Sequence, residues 1–133
     1  MPMLTPRVFV SGQLSIEDMA LFAGMNFSHV VNHRPDDEEP GQPSGAALTE
    51  AARAAGLTMV NAPVRGLPGP DAVQATRQVL EALGSDGKAV FFCRSGMRSA
   101  AAWAMAERLN GRDAGELRDA AAAAGYDLGR VPL

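Results

Sequence analysis

The sequence predicts an α/β domain with a mainly parallel sheet of four or five strands flanked by helices. Short apolar segments alternate with alanine-rich helical segments along the chain. Residues 89–92 are wholly apolar, as expected of a central strand that is buried on both faces. Two helical segments follow this strand and close the chain. The 133 residues contain no internal repeat and no long linker, so we expect a single domain over 1–133.

The first half of the chain predicts helices with recognisable ends. Ser15 is placed to cap a helix over 15–22, because its hydroxyl can accept from free backbone N–H groups. An alanine-rich helix over 46–55 ends at Gly56. Residues 34–45, called the acidic loop here, hold four consecutive acids, three prolines and two glycines, which predict a loop. The predicted strands are 7–10, 29–32 and 57–64.

The second half predicts one strand and three helices. A loop over 65–70 precedes a helix over 72–83, which Asp71 is placed to cap. Residues 84–87 form a turn before the strand over 89–92. The remaining predicted helices are 98–109 and 114–124. Trp103 and Met105 are predicted to lie in the core.

Composition limits the possible partners. The net charge is −3 and no dense run of Lys or Arg is present, which argues against nucleic acid and anionic membranes. No apolar segment approaches the ~20 residues of a membrane span, and the first residues lack the pattern of a signal peptide. A single cysteine cannot form an internal disulfide, so we expect a reducing cytoplasm. The sequence does not predict an oligomeric state.

The strongest functional signal is Cys-Arg-Ser-Gly-Met-Arg-Ser at residues 93–99, called the Cys loop here. Cys93 follows the predicted central strand and precedes a helix N-terminus, where the helix dipole favours a thiolate. The alternative is a small buried cysteine with a structural role. The positive charges of Arg94 and Arg98 would stabilise a Cys93 thiolate, and Ser99 is placed to donate a hydrogen bond to it.

The same loop is predicted to bind an anion. Its successive backbone N–H groups can converge on one ligand, Gly96 permits a positive φ, and the planar fork of Arg98 suits phosphate or sulfate oxygens. The predicted anion-binding residues are Arg94, Ser95, Gly96, Met97 and Arg98. No His, Cys or Asp cluster has metal-ligand spacing, and no metal or organic cofactor is predicted. We expect structural or surface roles for His29 and His33.

The Cys loop resembles the anion loops of cysteine-dependent phosphatases and of rhodaneses. The stretches Val10-Ser11-Gly12-Gln13-Leu14 and Val30-Val31-Asn32-His33-Arg34-Pro35-Asp36 resemble the opening of dual-specificity-type phosphatases. Together these segments are most similar to the bacterial phosphatase-like domain of beta-lactamase hydrolase-like proteins, and the resemblance covers nearly the whole chain. It implies a three-layer cysteine-phosphatase-like fold and a catalytic Cys93.

The resemblance also implies a general acid in the loop after an earlier strand, where Asp71 is the matching carboxylate. The competing role for Asp71 is to cap the following helix. Asp36 and Asp37 are alternative acids, with a solvated loop as their competing interpretation. Arg34 either supports the wall of the site or is a surface cation paired with Asp36–Glu39. Arg65 also lies in a loop from which it could reach substrate.

Two residues depart from the phosphatase signature. Arg98 is five positions after Cys93 instead of six, and Phe92 stands in place of the usual His. The shorter ring has the length found in rhodaneses. The first hypothesis is hydrolysis of a phosphate monoester through Cys93. The alternatives are transfer of sulfane sulfur as a Cys93 persulfide and binding of an anion without turnover.

Overall fold

The computed structural model describes all residues, 1–133, and contains a five-stranded sheet with strand order β1-β2-β5-β3-β4. The strands are β1 (Met3–Thr5), β2 (Val8–Ser11), β3 (His29–Asn32), β4 (Thr58–Asn61) and β5 (Ala89–Phe92). The helices are α1 (Asp18–Gly24), α2 (Gly45–Ala55), α3 (Pro70–Ala82), α4 (Met97–Leu109) and α5 (Ala114–Ala123). The predicted α/β class with a mainly parallel sheet is confirmed.

Strand pairing brings several chain segments to one edge of the sheet. β5 lies in the centre and is parallel to β2 and β3, and β4 is parallel to β3. The last residues Ser11, Phe92, Asn32 and Asn61 share one level of the register. The segments that follow these strands therefore leave from the same edge, where open α/β sheets bind ligands.

Helices cover both faces of the sheet. One core contains Phe91 of β5 together with Trp103 and Leu117 of the two closing helices. The other contains Val90 and Phe92 of β5 packed with residues of α1 and α2. Every β5 side chain is buried, as the apolar run predicts. Trp103 is fully buried and Met105 packs partly buried against the same core, which confirms both predictions.

The N-terminal hairpin and the start of α1 differ from the predictions. β1 was not predicted; it is a short strand that pairs antiparallel with β2. α1 begins at Asp18 and not at residue 15, and its N-cap Glu17 makes no side-chain capping bond. The Ser15 hydroxyl nevertheless accepts from the Asp18 N–H over 3.3 Å, as predicted, and the Ser15 N–H donates to Asp18 Oδ2 at 2.8 Å. This contact closes a turn just before the helix.

β4 and α3 also have different bounds. β4 stops at Asn61 because its partner β3 ends at the same level, so the residues up to 64 are not strand. The prediction that Asp71 caps α3 is wrong, since the N-cap is Gly69 and makes no side-chain capping bond. Pro70 takes the first helical position, where its missing N–H costs no hydrogen bond. None of the helices has the length and apolar character needed to cross a membrane.

Candidate active site

Cys93 lies at the centre of the candidate site. It is fully buried at the carboxyl end of β5, and α4 begins four residues later at Met97. The backbone N–H of Gly96 donates a hydrogen bond to Cys93 Sγ over 3.1 Å. Gly96 has φ +97°, a left-handed conformation that favours glycine and turns the chain into α4. The thiol therefore sits at a helix N-terminus with one backbone donor already aimed at it.

Several loop N–H groups remain available for an anion. The N–H groups of Arg94, Ser95 and Arg98 have no hydrogen-bond partner within the protein. The Met97 N–H, also predicted as an anion donor, instead contacts Ser95 Oγ at 3.3 Å. The outer side of the loop is supported by Gln13, whose N–H donates to Arg94 O at 3.4 Å. Unpaired donors at a helix start are suited to negative charge.

Arg98 is held from two sides. Its Nη1 and Nη2 donate to the two carboxylate oxygens of Glu38, each over 2.8 Å, and Nη1 also donates to Val64 O over 2.9 Å. The Glu38 hydrogen bond is the main cause that raises the pKa of Arg98, and the nearby Cys93 side chain raises it further. The Arg98 guanidinium makes no hydrogen bond of standard geometry to Cys93 Sγ. Arg98 Nε donates no hydrogen bond of standard geometry within the protein, so this donor is available to a ligand.

Glu38 connects Arg98 to a second arginine. The Arg34 side chain is fully buried, its Nε donates to Glu38 at 2.9 Å, and its Nη1 donates to Gln13 Oε1 at 3.0 Å. Its Nη2 lies 3.1 Å from a Glu39 oxygen but lacks the alignment of a hydrogen bond. Arg34 pairs with the acidic loop, as the surface-cation alternative predicts, but it is buried behind the Cys loop.

The carboxylate of Glu38 stays ionised over a wide pH range. The pKa of Glu38 is lowered to about 2, first by the hydrogen bond from Arg98 and then by Arg34, against the opposing effect of burial. Glu39 adds a longer ion pair with Arg94, at 3.7 Å. Glu38 and Glu39 thus attach the acidic loop to the Cys loop, while residues 36–41 remain exposed to solvent.

His33 forms a buried hydrogen-bonded group with Ser99 and Thr76. Its Nδ1 lies 2.8 Å from Ser99 Oγ and its Nε2 lies 2.9 Å from Thr76 Oγ1. The Thr76 hydroxyl donates to Ala72 O, so its oxygen accepts from Nε2–H, and Nδ1 accepts from the Ser99 hydroxyl. Burial, followed by the positive charge of Arg98, lowers the pKa of His33 to about 3. His33 is therefore neutral near pH 7.

Ser99 makes no hydrogen bond to Cys93 in this arrangement, and its hydroxyl is paired with His33 Nδ1. Donation from Ser99 to the thiolate stays a prediction, and it requires the hydroxyl to turn away from His33. His33 has the structural role that the sequence analysis expects, and its backbone also supports the site. Its N–H donates to Phe92 O at 2.8 Å, and its carbonyl accepts from the Val64 N–H at 2.9 Å.

The candidate acids lie apart from this network. Asp71 is exposed in the first turn of α3 and makes no hydrogen bond. Asp36 accepts from the Gly45 N–H at 2.8 Å and so stabilises the start of α2. Asp37 is exposed with φ +63°. Arg65 is also exposed and makes no hydrogen bond. No group of three or more His, Cys, Asp or Glu side chains is arranged to hold a metal ion.

Three residues at the site were missed by the sequence analysis. Gln13 lies within the family-like stretch over 10–14, and Glu38 lies two residues after the stretch over 30–36. Their closeness to these stretches is the signal that could have identified them. Tyr126 lies after α5, and its hydroxyl donates to Ser95 O over 3.2 Å. Nothing in the local sequence relates it to the Cys loop, because the contact spans 31 residues.

The chain is similar to one family of known proteins along most of its length. The family model described as "Beta-lactamase hydrolase-like protein, phosphatase-like domain" matches residues 1–110. A beta-lactamase hydrolase-like protein of Xylella fastidiosa is 34% identical over 96% of this chain, and one of Agrobacterium fabrum is 31% identical over 94%. The chain spans only 30% and 29% of the length of these two relatives.

Solved structures show the same fold. A candidate phosphatase from Neisseria meningitidis superposes with a TM-score of 0.77 and 26% identity, covering 96% of this chain and 89% of its own. The active form of Tk-PTP gives a TM-score of 0.68 at 22% identity, with coverages of 92% and 80%. Human DUSP28 gives a TM-score of 0.63 at 17% identity, covering 94% of this chain and 83% of its own. The last two support the fold alone.

Proposed function

Because the chain belongs to the family of phosphatase-like domains found in beta-lactamase hydrolase-like proteins, we propose that it hydrolyses a phosphate monoester with Cys93 as the nucleophile. The observation that carries the proposal is the buried Cys93 with the Gly96 N–H at 3.1 Å from Sγ. A thiolate is the nucleophilic form of cysteine, and such a donor stabilises it. The substrate is a small phosphorylated molecule, and a reducing cytoplasm would keep the thiol free.

In the proposed reaction, Cys93 Sγ attacks phosphorus and the bond to the leaving oxygen breaks. The free N–H groups of the Cys loop and the Nε edge of Arg98 would stabilise the charge on the transferring group. Water then hydrolyses the phosphocysteine, releasing inorganic phosphate and restoring the thiolate. Glu38 positions Arg98 by holding its Nη1 and Nη2. These steps need no metal or organic cofactor.

The leaving oxygen needs a proton, and Asp71 is the proposed general acid. Its support is its place in the first turn of α3, directly after the loop that follows β4. No hydrogen bond orients its carboxyl group. A general acid contributes about 10²–10⁴-fold to such a reaction. Removal of the Asp71 carboxyl group should therefore slow hydrolysis of esters with poor leaving groups and spare those with good ones.

A second candidate is sulfur transfer through a Cys93 persulfide. The specific observations in its favour are that Arg98 follows Cys93 by only five sequence positions and that the one hydrogen bond to Cys93 Sγ comes from a backbone N–H and not from a carboxyl group. The thiolate would take the outer sulfur of a donor such as thiosulfate and release sulfite. A thiophilic acceptor such as cyanide would then remove the sulfur and restore the thiolate. Neither step requires a general acid.

One pair of assays separates the proposals. The protein is given an aryl phosphate in one assay and thiosulfate plus cyanide in the other, each beside Cys93→Ser. Phosphate release that depends on Cys93 supports the phosphatase proposal. Cys93-dependent thiocyanate formation without phosphate release contradicts it and supports sulfur transfer. Tight sulfate binding without either turnover assigns the Cys loop to anion binding alone.

A further inference from the structure

The peptide unit between Ser95 and Gly96 is held at both of its polar atoms. Its N–H, from Gly96, donates to Cys93 Sγ over 3.1 Å. Its carbonyl oxygen, from Ser95, accepts from the Tyr126 hydroxyl over 3.2 Å. Because a trans peptide is planar, its N–H and C=O point in opposite directions. A contact that holds the carbonyl outward therefore also holds the N–H inward, toward the sulfur.

The backbone at this peptide does not determine its own orientation. Gly96 has φ +97° here, and glycine adopts positive and negative φ with similar ease. Rotation of the peptide changes mainly ψ of Ser95 and φ of Gly96, so the rotated form carries little steric cost. The orientation is selected by the two hydrogen bonds, of which only the one from Tyr126 is present when Cys93 has reacted.

Tyr126 is itself firmly placed against the loop. Its N–H donates to Ala121 O at 2.8 Å at the end of α5. Its phenol ring packs on Gly96 so closely that a Cβ at that position would overlap the hydroxyl oxygen and lie 2.8 Å from Cζ. Burial, and then the negative charge of Cys93, raise the pKa of Tyr126. The phenol is therefore a protonated donor near neutral pH.

We propose that Tyr126 is a positioning residue that locks the Ser95–Gly96 peptide with its N–H toward Cys93. The proposal rests on the proposed role of Cys93 as a reactive thiolate. It concerns a residue beyond residues 1–110, the part matched by the family model. Without the Tyr126 hydroxyl the peptide can turn its carbonyl oxygen toward the sulfur. The negative end of the peptide dipole then faces and destabilises the thiolate, and the Cys loop loses one N–H donor for an anion.

The test is Tyr126→Phe, which removes the hydroxyl and keeps the ring. The rate of Cys93 alkylation by iodoacetamide is measured against pH. We expect alkylation near neutral pH to slow by up to about tenfold, because the loss of one donor makes the thiolate less favourable. Asp127→Asn is the matched control, because Asp127 is adjacent but bonds only to the Gly129 N–H. Its pH profile should equal that of the parent protein.

Hydrogen exchange at the Gly96 amide, followed by NMR, gives a second readout that does not depend on Cys93 reactivity. The amide should exchange faster in Tyr126→Phe than in the parent or in Asp127→Asn. An unchanged pH profile of alkylation together with unchanged Gly96 exchange would overturn the inference. A parent protein whose Cys93 is alkylated no faster near neutral pH than a free cysteine contradicts the activated thiolate of the proposed function, and Gly96 exchange alone then decides the role of Tyr126.

Discussion

The Cys loop and the acidic loop follow neighbouring strands at the same edge of the sheet, yet they contribute to the site in different ways. The Cys loop acts mainly through its backbone: Gly96 donates to Cys93 Sγ, and further N–H groups are unpaired. The acidic loop acts through side chains, above all Glu38, which binds both Arg98 and Arg34. The first loop holds the proposed nucleophile, and the second holds the guanidinium of Arg98 in place.

The two loops also differ in the range of their contacts. The bond between Gly96 and Cys93 spans three residues, whereas the contact between Glu38 and Arg98 spans 60. The second contact depends on the register that places Asn32 beside Phe92, since the two loops start there. A local motif can thus specify a nucleophile, while its orientation requires correct pairing of distant strands.

Among the substitutions that test the difference between the two loops, Gly96→Ala is expected to lower stability the most. A Cβ would strain the positive φ, overlap the Tyr126 hydroxyl and lie 2.8 Å from Val10 Cγ1. We expect a loss of about 2–5 kcal/mol in the free energy of unfolding, from strain plus overpacking. Urea unfolding measures this loss, and alkylation of Cys93 should slow as the loop shifts.

Gly111→Ala is the matched control for this substitution. Gly111 has φ +90°, but no atom lies within 4 Å of a Cβ placed there. This variant should lose about 1–2 kcal/mol in the free energy of unfolding, which is the cost of a positive φ for alanine, and its Cys93 alkylation should be unchanged. Equal losses for both variants would show that the packing of Tyr126 and Val10 on Gly96 contributes nothing to stability.

An intermediate effect is expected from Glu38→Gln, which weakens the attachment of the acidic loop. A hydrogen bond to a charged group contributes about 1.5–3 kcal/mol to stability, so we expect a loss near the lower end of this range in the free energy of unfolding at pH 7, because Glu38 is partly exposed. The pKa of Glu38 is lowered to about 2 in the folded protein, so its stabilising effect is complete above the ordinary value of 4.5. The difference between parent and variant should therefore shrink as pH falls from about 4.5 to about 2.

The control is Glu50→Gln, because Glu50 forms an exposed ion pair with Arg53 within α2. Exposed pairs contribute about 0–1 kcal/mol, so this variant should differ little from the parent at any pH. A Glu38→Gln difference that stayed constant from pH 7 to pH 2 would contradict the assigned role of the ionised carboxylate.

The smallest effect on the loops is expected from Asp71→Asn. Asp71 contacts neither loop, so Cys93 alkylation should keep its pH dependence, and stability should fall by less than about 1 kcal/mol through the helix dipole alone. Alkylation rates and urea unfolding give these values. A clear shift of the Cys93 pKa would place the carboxyl group beside the thiolate, contrary to its exposed position.

Much of the fold and the centre of the site could be predicted from the sequence because their signals are local. The apolar run over 89–92 identified the central strand, and Cys93, Gly96 and the helix start identified the reactive loop. The capping role of Asp71 was predicted wrongly, because Pro70 at the first helical position competes with it. β1 was missed because it has only three residues and is stabilised by pairing with β2.

By itself, the sequence determined the fold class, the parallel character of the sheet and the position of the proposed nucleophile. These follow from apolar periodicity, glycine conformation and the charge preference of a helix N-terminus, all of which act over a few residues. Only the tertiary structure decided that Glu38 binds Arg98, that Ser99 is directed to His33 and that Tyr126 holds the Ser95 carbonyl. Such side-chain contacts join distant segments, so they arise only once strand order and helix packing bring those segments together.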